Sequence, residues 1–165
     1  MTLIRLLREE LVALEALVSK DWDRYFLEIA RMGSSRSKDP STKVGSCIVK
    51  DKKVLSIGYN GAPRKFDDNL VPTSSDTTLP LKDQKYAYVC HSEVNAILNY
   101  GGSMRDFEGA TLYVTISPCH ECAKIIIQSG IKRVVYLEDY HRTETADMAK
   151  LLFRACGVEY GKIDC

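Results

Sequence analysis

The chain has 165 residues, 45% of them hydrophobic and 27% charged, with 23 basic side chains against 22 acidic ones and a net charge of +1. That length suffices for one domain with a self-sufficient core. The balanced charge lacks the basic footprint of a protein that neutralises many phosphates, and no apolar run reaches the roughly 18 residues of a membrane span, so neither nucleic acid nor a bilayer is an expected partner. A small anion, which needs only a few local cations, stays open.

In chain order, residues Leu3 to Val18 set apolar side chains at helical spacing and read as an amphipathic helix. Arg5, Arg8, Glu9, Glu10 and Glu15 interrupt it, unlike the uncharged core of a signal peptide, and a cytoplasmic location is expected. Its apolar stripe should be buried, by packing on its own domain or in a subunit contact. Residues 1–20 are read as an extension and residues 21–165 as a single domain. Trp22, Tyr25, Phe26, Ile29 and Ala30 repeat the helical pattern, with Asp21 as a candidate cap and Gly33 as the stop. Val44 to Val49 and Val54 to Tyr59 are β-rich runs joined by Lys50-Asp51-Lys52-Lys53, which predicts an antiparallel hairpin. From Asn60 to about Lys85 the chain is rich in Pro, Asp, Ser and Thr, a loop long enough to be functional. There follow a helix from about His91 to Tyr100, a strand at Thr111 to Ile116, a helix from Cys119 to Gln128, a strand at Arg133 to Leu137 and a helix from about Glu144 to Ala155. Strands alternating with such helices favour right-handed βαβ crossovers. The expected fold is α/β, with a mixed sheet made of an antiparallel hairpin followed by βαβ units and covered by helices.

Two short motifs carry the chemistry: Cys90-His91-Ser92-Glu93 and Ser117-Pro118-Cys119-His120-Glu121-Cys122, each opening a predicted helix. Cys119 and Cys122, three apart on a first helical turn, can aim two thiolates at one ion, and His91 can add an imidazole. Three protein ligands leave a position open, as catalytic rather than structural zinc requires. His120, between the two cysteines, points away from their face. Glu93, two residues past His91, suits a proton shuttle beside acidified water. Taken alone, the Cys-x-x-Cys reads equally as a redox pair or half of a structural zinc site. Cys47, Cys90 and Cys156, which lie in apolar surroundings, read as core residues.

With these motifs the chain resembles the zinc-dependent cytidine/deoxycytidylate deaminase superfamily, whose H-x-E and P-C-x-x-C signature is a known pattern, and within it the deoxycytidylate deaminases. The resemblance runs from about Trp22 to Tyr160. It is carried by Ser37-Lys38-Asp39-Pro40-Ser41-Thr42-Lys43-Val44-Gly45, Gly58-Tyr59-Asn60-Gly61, Cys90 to Ile97 and Cys122 to Ile131. It implies a three-layer cytidine-deaminase-like fold and hydrolysis of dCMP to dUMP and ammonia, supplying dUMP for thymidylate synthesis. It also implies zinc on His91, Cys119 and Cys122, with Glu93 as the catalytic residue. Ser92 stands where the family often has Ala, and its backbone is expected to meet the pyrimidine carbonyl. Asn60 is expected at the sugar hydroxyl, and Lys38, Thr42 and Tyr140 at or beside the phosphate. Asn60 between glycines also suits turn geometry, and Lys38 and Lys43 read equally as solvated. The resemblance further implies a homohexamer activated by dCTP and inhibited by dTTP, with Mg2+ on the triphosphate; Asn60, Gly61, Arg64 and Lys65 are the candidate allosteric residues.

Three other readings share parts of this pattern. A free cytidine or deoxycytidine deaminase would have the same metal site without needing the basic Ser37-to-Lys43 segment. A nucleic-acid editor would need a basic groove and stacking aromatics, which balanced charge and few aromatics do not offer. A catalytically inactive nucleotide-binding subunit would have no use for Glu93.

Overall fold

The structure is a computed structural model that describes residues 3–164. Four helices and five strands follow in the order α1 (Leu3–Ser34), β1 (Gly45–Lys50), β2 (Lys53–Tyr59), α2 (Ser92–Leu98), β3 (Thr111–Ile116), α3 (His120–Gln128), β4 (Arg133–Glu138), α4 (Thr143–Ala155) and β5 (Glu159–Lys162). The sheet order is β2-β1-β3-β4-β5. β1 is antiparallel to both β2 and β3, while β3, β4 and β5 are parallel. The expected α/β mixed sheet, with its hairpin and subsequent βαβ units, is what the chain forms.

Side-chain alternation along the strands separates two apolar layers. Cys47, Val49, Tyr113, Val135 and Leu137 face Phe26, Leu27 and Ala30 of α1. Ile48, Leu112, Val114, Val134 and Tyr136 face α2, α3 and α4 through Ala96, Ile97, Ala123, Ile126 and Phe153. The result is three layers, with α1 alone on one face. Asp23 of α1 is buried below the sheet; it accepts hydrogen bonds from both terminal nitrogens of Arg133 at 2.7 Å each and from the Tyr113 hydroxyl at 2.7 Å. This clasp replaces the water that each charge gives up on burial.

Four expectations are corrected. α1 is one 32-residue helix rather than two. Ser19-Lys20-Asp21 breaks the apolar periodicity but contains neither Gly nor Pro, so the backbone continues and Asp21 caps nothing. The apolar stripe of the first half does not pack on its own domain: every residue from 4 to 22 is exposed, and Asp23 is the first buried one. Cys156 is exposed and Cys90 half-buried, leaving Cys47 as the core thiol of that trio. The fourth correction is β5, absent from the sequence reading because Glu-Tyr-Gly-Lys is a short, mostly exposed edge strand without an apolar pattern.

Two glycines let helices approach the sheet. A Cβ on Gly58 would overlap the Ala96 amide nitrogen and the Ser92 carbonyl oxygen of α2, and one on Gly45 would overlap the Ala30 carbonyl oxygen of α1. Neither neighbour is a flexible side-chain end, so a methyl group must move a helix. Gly58→Ala should therefore destabilise the chain by about 3 kcal/mol, the upper end of overpacking costs. Urea unfolding reads this directly; an unchanged midpoint would show that α2 shifts freely.

Candidate active site

The two motifs meet where the chain leaves its strands. β3 ends at Ile116, and Ser117-Pro118 leads to Cys119, the N-cap of α3. The Ser117 amide donates to Glu138 O at 2.8 Å, carrying the parallel ladder up to the turn. His91 is the N-cap of α2. Its position is fixed by a bridge between Gly61 and Cys90, whose two backbone hydrogen bonds measure 3.1 and 2.9 Å. Helix starts at the carboxyl ends of parallel strands are where α/β sheets commonly place ligands.

His91 Nδ1 lies 3.5 Å from Cys119 Sγ and 3.3 Å from Cys122 Sγ, and all three donor atoms fall within 4.8 Å of one another. In a tetrahedral centre with Zn–S about 2.3 Å and Zn–N about 2.0 Å, sulfur and nitrogen stand about 3.5 Å apart. The cluster thus fits zinc in donor type, in number and in spacing. Without metal, the Cys119 thiol is held down at about 4, by the hydrogen bond from Cys122 and then by His91 against the opposing effect of burial. His91 is held up at about 9, mainly by its bond to Cys119. Cys122, which donates to Cys119 and is buried, is pushed up. A thiol held down beside an imidazole suits a thiolate ligand, and metal binding to such a set is coupled to release of the ligands' protons.

Glu93 is buried and lines the same cleft. Burial pushes its carboxyl above the usual range, the charge of His91 opposing. The Ser92 hydroxyl donates to Glu93 Oε2 at 3.0 Å and meets Ser46 Oγ of β1 at 2.6 Å. The Ser92 hydroxyl thus ties α2 to the sheet and holds one oxygen of Glu93.

The cleft encloses about 580 Å3, counting space open to solvent. Of the residues expected there, Thr42, Asn60, His91, Ser92, Glu93, Cys119 and Tyr140 all line it; Cys122 joins the cluster from behind. Asn60 is buried with its amide committed to the backbone: Nδ2 donates to Thr42 O at 2.9 Å and Oδ1 accepts from Val44 N at 2.8 Å. Lys38 is elsewhere. Its ammonium is exposed, donates to Asp68 at 2.6 Å and lines a neighbouring cleft with Gly61. Arg64 and Lys65 are exposed in the long loop and line neither cleft.

The sequence reading missed Lys85, Tyr86 and His141, which line the cleft, and gave Asp39 no role. Lys85 is buried, donating to Asp39 Oδ2 at 3.1 Å and to Ser41 Oγ at 2.7 Å. Asp39 Oδ1 also accepts from the Ser41 and Thr42 amides, at 2.9 Å each. Arg142 stacks over the Tyr86 ring, 5.1 Å from its centroid. A lysine at the end of a polar loop carries no local signal; only an Asp-x-Ser-Thr turn 46 residues earlier reveals its partner.

Burial pushes the Asp39 carboxyl up, but the Thr42 and Ser41 amides and Lys85 outweigh it and hold it below the ordinary 3.8. The stabilisation it contributes is complete above that pH and is lost as pH falls past it. Asp39→Ala should cost about 3 kcal/mol by leaving Lys85 buried and unpaired, and its urea midpoint should depend less on pH below 4 than the parent's. Equal midpoints for the two proteins at neutral pH would show that the pair contributes nothing.

Comparison with known proteins places this geometry. Residues 20–138 match the family model described as the cytidine and deoxycytidylate deaminase zinc-binding region. The deoxycytidylate deaminase of Mus musculus is 46% identical over 144 residues, covering 86% of this chain and 79% of that protein. That of Homo sapiens is 44% identical over the same length and coverage. Among solved structures, the dCMP deaminase of cyanophage S-TIM5 in complex with dCMP and dUMP superposes with a TM-score of 0.65 at 29% identity, covering 85% of this chain and 95% of that one. The buried His–Cys–Cys cluster, the carboxylate beside it and the three-layer fold around them are thus those of a known lineage: the chain belongs to the cytidine and deoxycytidylate deaminases with a zinc-binding region.

Proposed function

We propose that the chain hydrolyses dCMP to dUMP and ammonia, with zinc held by His91, Cys119 and Cys122 and Glu93 moving the protons. The observation that carries the reading is the three-donor cluster with one face toward a cleft that also holds a buried carboxylate. Zinc bound there supplies Lewis acidity that brings the pKa of water toward about 7. Glu93 takes a proton from the attacking water and delivers it to the ring nitrogen next to the amino-bearing carbon. A second proton passes through Glu93 to the amine, which leaves as ammonia while the ring carbon–oxygen bond becomes a carbonyl. Glu93 ends as it began, and the apolar surroundings that raise its pKa suit a group that must both accept and release a proton near neutrality. The Ser92 backbone is assigned to the pyrimidine carbonyl and Asn60 to the sugar.

For the phosphate, Lys85 replaces Lys38 in the reading. Lys85 is inside the cleft with Thr42 and Tyr140, whereas Lys38 is engaged with Asp68 outside it. The same reading extends to a homohexamer whose deaminase unit is residues 21–165, acting in the cytoplasm and supplying dUMP for thymidylate synthesis. It also extends to activation by dCTP and inhibition by dTTP, with Mg2+ on the triphosphate, near Asn60, Gly61, Arg64 and Lys65. What supports a regulatory site there is a second cleft, lined by Gly61, that shares Asp39, Lys85 and Val89 with the first. Among the described residues no helix is long and apolar enough to cross a membrane.

Glu93→Ala should keep its zinc and lose at least about a hundredfold in kcat, the minimum for a proton-transfer group; metal analysis beside ammonia release checks both, and a variant retaining a tenth of the rate would remove Glu93 from the role. Charge-assisted hydrogen bonds contribute about 1.5–3 kcal/mol each, so two of them on the phosphate should favour dCMP over deoxycytidine by at least about a hundredfold in kcat/KM. Turnover of both, each with and without dCTP and dTTP, gives that ratio, and equal constants would point to a nucleoside deaminase. Lys38→Ala, which breaks only an exposed pair, should leave the ratio within about fivefold.

A further inference from the structure

Among the described residues, the first half of α1 buries none of its side chains against the rest of the chain. Residues 4–22 are all exposed, and Ile4, Leu7, Leu11, Leu14 and Val18 are 67%, 56%, 55%, 58% and 48% exposed. These five recur at alternating spacings of three and four, which puts them in one row along the helix, the seam of a coiled coil with Ile4, Leu11 and Val18 at one heptad position and Leu7 and Leu14 at the other. The Arg5–Glu9 ion pair, 3.0 Å long, lies on the opposite face. Arg8 and Glu15 flank the seam and, among the described residues, make no ion pair.

We propose that this segment is an interaction surface for a second copy of the same chain, and that the two helices pack antiparallel over residues 4–21. In that register Leu7 of one copy faces Val18 of the other and Leu11 faces Leu14, so the seam is complementary to itself under a two-fold axis. Charge selects the direction. Antiparallel packing puts Arg8 of each copy beside Glu15 of the other, two attractive pairs by symmetry. Parallel packing puts Glu10 of each copy beside Glu15 of the other, two repulsive pairs. The antiparallel arrangement also sends the two deaminase units to opposite ends of a helix pair whose axes are only about 8–10 Å apart.

Two and a half heptads make a short seam, and the domain extends it. Where α1 reaches the sheet, Glu15, Val18, Ser19 and Trp22 form one wall of a cleft whose other wall includes Asp51 and Lys52 of the β1–β2 hairpin. Ile4 of the second copy arrives opposite Asp21, at the mouth of this cleft. Trp22, 37% exposed with the Lys52 ammonium 4.8 Å from its ring centroid, offers it an apolar wall. The surface is thus distinct from the catalytic cleft, and its pairing does not depend on the assembly of the deaminase units.

Disulfide trapping of the full-length zinc-loaded chain tests the proposal in a Cys156→Ser/Cys165→Ser background, with oxidised glutathione as the oxidant. The double substitution Leu7→Cys/Val18→Cys should form covalent dimers on a non-reducing gel, while either substitution alone should not. Residues 7 and 18 of one helix stand about 16 Å apart, too far to close within one chain. Adding Glu15→Arg should lower the initial trapping rate about tenfold, and adding Arg8→Glu to that should restore it. Positions 7, 8, 15, 18 and 156 are exposed, and zinc content and far-UV circular dichroism confirm that each variant is folded. Dimers from Leu7→Cys alone, or faster trapping with Glu15→Arg, would establish parallel packing and overturn the proposal. Absence of dimers from the folded double variant would overturn the pairing itself, whether or not the chain deaminates dCMP.

Discussion

Everything in the catalytic half of the chain depends on bringing one imidazole and two sulfurs to within 4.8 Å of one another. The donors come from two helices that are separate in sequence, so their starts must be held to a fraction of an ångström by elements that carry no chemistry. Gly58 lets α2 lie against β2 backbone to backbone, and the Gly61–Cys90 bridge fixes the residue before His91. The Ser46–Ser92 hydrogen bond ties the same helix to β1. On the other side Ser117 accepts from the Tyr140 amide at 2.9 Å, joining the turn before Cys119 to the end of β4. Remove any of these and the ligands still exist but no longer converge.

Buried charge is handled in two different ways on the two sides of the sheet. Under α1, Asp23 is neutralised by a bidentate arginine and a tyrosine hydroxyl, and both of its carboxylate oxygens are taken up by those bonds. At the cleft, Asp39 and Lys85 form a more deeply buried pair, but Lys85 also lines open space with Thr42 and Asn60. Its charge is thus balanced for folding by Asp39 while it stands in the wall of the cleft. Glu93 is the exception: buried beside the ligands, it has Ser92 as a hydrogen-bond partner but no cation of its own apart from His91. A carboxyl left in that condition is poised to hold a proton, a state useful to a proton carrier and of no use to a structural ion pair.

The metal cluster was legible because its signal is local: a His-x-Glu and a Cys-x-x-Cys, each at a helix start, report identity and spacing in a few residues. The strands β1 to β4 and helices α2 to α4 were legible for a similar reason, since apolar alternation and helical spacing are short-range patterns. Lys85 and Asp39 were not, because their pairing spans 46 residues and a loop without periodicity. Lys38 drew attention as the nearest cation in the motif; the chain turns it outward toward Asp68 instead. Asn60 shows both halves of the difficulty, since it lines the cleft and also spends its amide on the backbone of Thr42 and Val44. β5 escaped because an edge strand need not be apolar.

α1 illustrates how one helix can serve two ends without a break. From Asp23 onward its buried residues, Asp23, Phe26, Leu27 and Ala30, dock on the sheet. Before Asp23 the apolar row follows a seven-residue repeat and, among the described residues, is left exposed. Periodicity alone cannot tell these halves apart, because a stripe that packs on a sheet and a seam that packs on another helix both recur about every three to four residues. What separates them is the presence of a sheet to cover. The sheet ends where Lys52 of the hairpin meets Trp22, and beyond that point a helix with five large apolar side chains in one row is energetically incomplete in a single chain. The surface fits a complement supplied by another copy, because Arg8 and Glu15, which flank the row, are charges of opposite sign that a second, antiparallel helix brings together.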